Sequence, residues 1–182
     1  NGFATVKSFE ASQVSGEYLI TASLVSDPRV KDTVNLDVKV PGLVNFRDLI
    51  IIGTKPFVFV QSDTGEVNHP SNTWCTPEMG ASLFLASLDF YEWTQSEEGG
   101  GTPIQISLND MSLMWGGFFD IGANWKVDNP SHSFHRVGLS VDINRGNMEE
   151  DQLDILTIFM NNQKGYRNPE RPQIHYGFHG GQ

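Results

Sequence analysis

The chain has 182 residues, 38% of them hydrophobic, which suffices for one good domain or for one domain and part of another. Its formal net charge of -10 repels nucleic-acid backbones and anionic lipid surfaces, so neither is expected as a partner. With Cys75 as the single cysteine, an intrachain disulfide framework and a thiolate zinc cluster are both excluded, and any metal must be held by nitrogen and oxygen.

No apolar run approaches the roughly 20 residues of a membrane span. The chain opens NGFATVKSF, without an initiator methionine or a signal sequence, as expected of a processed or excised piece. Residues 1 to 43 read as three strands, GFATVKSFEA, SGEYLITASLV and TVNLDVKV, broken at Ser15-Gly16 and at Ser26-Asp27-Pro28. Val34, Leu36, Val38 and Val40 alternate with polar Asn35, Asp37 and Lys39, the pattern of a sheet with one buried face. The three strands resemble the last three of a bacterial immunoglobulin-like module, in which a strand like SGEYLITA is common, and the resemblance implies that residues 1 to 43 are the C-terminal strands of such an all-β module whose upstream half was removed. Pro41-Gly42 marks its end.

Residues 44 to 182 form the second unit. Leu49 to Ile52 and Phe57 to Val60 have strand composition. Thr76-Pro77-Glu78 places a capping hydroxyl before a proline at the first helical position, and Met79, Leu83, Ala86, Phe90 and Trp93 follow as one apolar stripe. After the EEGGG loop come a strand, PIQISLND, and the paired glycines of MSLMWGGFFDI. A second helix is expected within MEEDQLDILTIFMNNQKG, buried through Leu153, Leu156, Phe159 and Met160 and ended by Gly165 in a left-handed conformation. Its acidic Glu149-Glu150-Asp151 start suits the helix dipole and requires no ligand. The last element is a short strand in PQIHYGFHGGQ.

Four of the five histidines, His132, His135, His175 and His179, lie near Asp142 in the last third of the chain. Two imidazoles and a carboxylate match the three-ligand set of a catalytic zinc site, which keeps one position for water. His135 and Asp142 are seven residues apart, an odd separation that would put them on opposite faces of a regular strand. A turn or bulge at Gly138 must therefore intervene. His175 and His179, four apart on a strand, are roughly 13 Å apart along it, so only one of them can join the cluster. His175, between Ile174 and Tyr176, is the better placed. Arg136 is a candidate partner for a substrate carboxylate or an oxyanion. Asp110, Trp115 and Trp125 fall in segments expected to border the cleft.

The run Ser133-Phe134-His135-Arg136-Val137-Gly138-Leu139-Ser140-Val141-Asp142 resembles the S-x-H-x-x-G-x-[small]-x-D signature of LAS metallopeptidases. With DMSLMWGG before it and His132 three residues ahead of His135, the stretch is most similar to penicillin-insensitive murein endopeptidases. The resemblance implies an α+β fold with a small antiparallel sheet and flanking helices, Zn²⁺ on His135, Asp142 and His175, and hydrolysis of peptide cross-links in peptidoglycan by a secreted, periplasmic or envelope-located protein. In such enzymes a histidine or glutamate two or three residues before the late ligand acts as general base. Here Gln173 and Pro172 hold those places and cannot accept a proton at neutral pH. His132 or His179 would then be the base; otherwise the same domain is a non-catalytic module that binds a cell-wall peptide.

Overall fold

A computed structural model describes residues 8, 10, 12–49, 56–59, 72–118, 135–146, 148–167 and 174–178, and the structural statements below concern these. The amino-terminal alternation folds as a hairpin. Gly16–Ser23 (β1) pairs antiparallel with Lys31–Val38 (β2), Gly16 opposite Val38 and Ile20 opposite Val34. Directly opposed residues share a face, so Tyr18, Ile20, Val34, Leu36 and Val38 form one apolar side. That side is only partly covered: Leu36 and Val38 are half-buried near the base, whereas Val34 is 58% exposed. The expected buried face is thus realised only where the hairpin meets the rest of the chain, because two strands alone provide no opposing layer. The Asp27-Pro28 break is a turn closed by Val30 N–H donating to the Asp27 carbonyl at 3.0 Å. The strand expected in residues 2 to 11 lies almost wholly outside the described residues.

Val44–Asn45 (β3) pairs antiparallel with Trp74–Cys75 (β5). Between them, Phe46–Leu49 is a 3-10 turn, so Leu49 begins no strand; Ile50 to Ile52 lie outside the described residues. Thr76 caps the helix Pro77–Gln95 (α1), its hydroxyl accepting from Met79 N–H at 3.2 Å. The helix Glu150–Asn162 (α2) starts with Glu149 N–H donating to the Gln152 side chain at 3.0 Å. It ends differently from expectation: Lys164, with φ of 63°, takes the left-handed position, and Gly165 opens the next strand. A side chain at residue 165 would come within 2.9 Å of the Met160 carbonyl oxygen, so that glycine answers a close approach rather than a backbone twist.

A five-stranded sheet of Phe57–Phe59 (β4), Ile106–Leu108 (β6), Ser140–Asn144 (β7), Gly165–Arg167 (β8) and Ile174–Phe178 (β9) runs in the order β4-β6-β7-β9-β8. Its pairs are antiparallel except β4 and β6, which are parallel because the long connection carrying α1 separates them. The architecture is therefore mixed α+β, with small sheets and two helices. Met79, Leu83, Ala86 and Phe90 of α1 and Leu153, Leu156 and Met160 of α2 pack with Ile106, Leu108, Val141, Ile143, Ile174, Tyr176 and Phe178 into one core. Alternation along β7 and β9 then sends Ser140, Asp142, His175 and Gly177 to the face away from the helices. No described helix is long and apolar enough to cross a membrane.

Candidate metal centre

His135 stands on a 3-10 turn, His135–Val137, that leads into β7. The turn required by the odd spacing is present at Gly138, whose φ is +71°. A Cβ there would lie 2.5 Å from Leu43 Cδ2 and 3.0 Å from Cys75 Cα, so the conformation and the packing both demand glycine. Two backbone bonds grip the turn: Gly117 N–H donates to the Arg136 carbonyl at 2.8 Å and Thr76 N–H to the Gly138 carbonyl at 2.9 Å. The His135 ring is oriented from Ser140, whose Oγ lies 3.1 Å and whose carbonyl oxygen 3.3 Å from Nδ1. This leaves Nε2 on the side of Asp142, 3.3 Å from Oδ2.

Asp142 and His175 are direct partners across β7 and β9, so their side chains emerge beside each other on the same face. His175 Nδ1 is 2.6 Å from Asp142 Oδ1, and the two imidazoles meet edge to face with centroids 5.2 Å apart. All three residues are buried, and each offers a ligand atom within 4.8 Å of the others. Two atoms bound at about 2.0 to 2.1 Å to a tetrahedral zinc lie roughly 3.3 Å apart, the separation already present between His135 and Asp142. The His175 contact is shorter, at hydrogen-bond distance, so His175 would exchange that bond for the cation. Burial alone raises the Asp142 carboxyl, but hydrogen bonds and charge from His135 and His175 outweigh it and hold the group well below the usual carboxylate range. An ionised carboxylate between two imidazoles is a donor set that can hold a divalent metal.

The other expected site residues are placed as follows. His132, His179, Gln173, Pro172 and Trp125 lie outside the described residues. Arg136 donates from an Nη to Gln13 Oε1 at 2.6 Å, and its guanidinium lies 5.0 Å from the Phe118 ring centroid. Asp110 accepts from the side-chain amides of Asn72 at 2.6 Å and Asn109 at 3.0 Å. Its carbonyl takes the Asp142 N–H at 2.8 Å, while Asn109 N–H donates to the Asp142 carbonyl at 2.8 Å. Two residues thus share one partner, the pattern of a bulge beside the site. Trp115 belongs to the turn under the hairpin, with Lys39 Nζ 5.8 Å from its ring.

Two neighbours escaped the sequence reading. Ser140 was visible only as the small residue of the signature, although sharing a face with Asp142 follows from their two-residue spacing. Tyr166 had no signal, because its place depends on pairing with Gly177. The tip of its ring occupies the space of the missing Gly177 side chain, its hydroxyl 2.6 Å from where a Cβ would be, on the face that carries His175. Searches against protein-family models, curated proteins and solved structures give no match to this chain.

Proposed function

We propose that His135, Asp142 and His175 hold zinc and that the chain is a zinc-dependent peptidase acting on peptide cross-links of peptidoglycan, working outside the cytoplasm or in the cell envelope. The observation that carries this reading is the convergence of three buried nitrogen and oxygen donors within 4.8 Å, reached from a turn, a strand and its partner strand. Bound there, zinc would polarise an amide carbonyl and lower the pKa of a water molecule to about 7. The chain's own residues do the remaining work. Ser140 fixes the His135 ring, and Asp142 brings the negative charge that a dication requires. His132 or His179 carries the proton to the leaving amine in this reading. The half-exposed Tyr166 borders the same face.

A second reading is favoured by Gln173 and Pro172, which stand where a general base would be expected. In it, the same face holds a cell-wall peptide without cleaving it. Digestion of purified peptidoglycan by the zinc-loaded chain, beside His135→Ala, separates the two. New muropeptide products from the native chain alone support the peptidase. Retention of the wall peptide without product from any wall preparation supports the binding module.

A further inference from the structure

We propose that Arg136, together with Gln13, Ser15 and the Gly116-Gly117 turn, forms a positioning clamp for His135, which makes the amino-terminal hairpin a working part of the metal centre. The inference rests on the metal-centre reading above and concerns a different set of residues. Four connections converge in this clamp. Val40 N–H, at the end of the hairpin, donates to the Trp115 carbonyl at 2.9 Å; Phe118 N–H donates to the Gln13 carbonyl at 2.8 Å; Ser15 Oγ donates to the Gly116 carbonyl at 2.7 Å; and Gly117 N–H reaches the Arg136 carbonyl at 2.8 Å. The chain around residues 115–118 is thus held by the hairpin base on one side and holds the His135 turn on the other.

The fit leaves no room for side chains. Gly116 and Gly117 have φ of 66° and 75°. A Cβ on Gly116 would sit 2.5 Å from Val40 Cγ2 and 2.6 Å from the Arg136 carbonyl oxygen, and one on Gly117 would sit 2.9 Å from Ser15 N and 3.0 Å from the Gln13 carbonyl oxygen. Backbone approaches this close fix distance far better than flexible side chains do. Arg136 closes the clamp by bonding Gln13 while its guanidinium covers Phe118, which is buried. Arg136 is adjacent to His135 in a single turn of helix, so a displacement of its backbone carries the imidazole with it. A ligand held loosely binds metal more weakly, and loss of supporting groups around a metal site costs about 10 to 100-fold in affinity.

The test uses the full chain. Zinc affinity is measured by competition titration, and the ring nitrogens of the histidines are followed by long-range proton–nitrogen NMR in the metal-free protein. Arg136→Ala is expected to weaken zinc binding by about tenfold and to displace the His135 ring signals. Gln13→Ala, at an exposed position, gives the same effect in smaller degree, and Gln13→Glu keeps the native values by pairing with the arginine. Thr33→Ala, on the open strand of the hairpin, leaves both readouts at their native values. Native affinity and unmoved His135 signals in Arg136→Ala and Gln13→Ala overturn the clamp, as does an equal change in Thr33→Ala. Should the native chain bind no zinc, the metal reading alone fails, and the His135 ring signals still decide the clamp.

Discussion

The hairpin at the front of the chain and the sheet behind it were built from the same kind of alternating strand, yet they reach different ends. In the hairpin, Leu19, Val25, Val30 and Val34 are exposed. In β7 and β9 every residue from Ser140 to Ile143 and from Ile174 to Phe178 is buried. The difference is the second layer. The β7 and β9 strands have helices on one face and, on the other, a turn carrying His135. The described hairpin has only its base anchored, through residues 13 to 15 and 40. Alternation therefore reports which residues can share a face, while burial of that face depends on what the rest of the chain brings to it. A polar cluster can be held in register only in the second setting, because a buried charge requires every neighbour fixed.

The contrast can be broken by substitution. Phe90→Ala, in the core under the sheet, should cost about 3 to 5 kcal/mol, read as a fall in the urea midpoint. Asp142→Ala in metal-free protein should cost about as much, roughly 3 kcal/mol or more, because it removes the buried carboxylate that His135 Nε2 and His175 Nδ1 both face. A native midpoint in that variant would mean the cluster is solvated. Gly117→Ala, forced into a left-handed backbone conformation against Ser15 and Gln13, should lose about 1 to 3 kcal/mol. An unchanged midpoint would show that the hairpin base is not clamped. Leu19→Ala, on the hairpin, should stay within about 0.5 kcal/mol; a larger loss would reveal a packed layer over that strand.

Cys75 sharpens the same comparison through pH. Burial pushes its thiol up to about 12, against about 8.5 in an unfolded chain. Between those values the unfolded state releases the proton and the native state keeps it, so stability falls as pH rises above about 8.5. Replacing Cys75 by alanine should flatten that part of the profile. Native protein at pH 8 should resist alkylation until it unfolds, and rapid labelling of the native chain would contradict the burial.

Much of this was legible in the chain. Thr76-Pro77 marks the start of α1, the apolar stripes give the buried sides of both helices, and the seven-residue gap from His135 to Asp142 requires the turn that Gly138 makes. The pairing of the segments around Asp142 and His175 was open to inference from two short apolar strands carrying polar residues inward. Other features depend on distant partners. The parallel pairing of β4 with β6 is set by where α1 returns the chain. Lys164 takes the left-handed position because Gly165 is claimed by the Met160 carbonyl and the Phe178 ring. Tyr166 reaches the site face only because β8 lies against Gly177. The outer hairpin is exposed although its alternation promises a buried face, since a local pattern carries no information about which other residues come to cover it.

The most direct test of the metal centre is zinc binding by isothermal titration of the metal-stripped full chain beside His175→Ala, with circular dichroism confirming that both are folded. One tightly bound zinc per native chain, and none in the variant, is the predicted result. A folded native chain that takes up no zinc, or a variant that binds it as tightly, would contradict the assignment of His135, Asp142 and His175 as ligands.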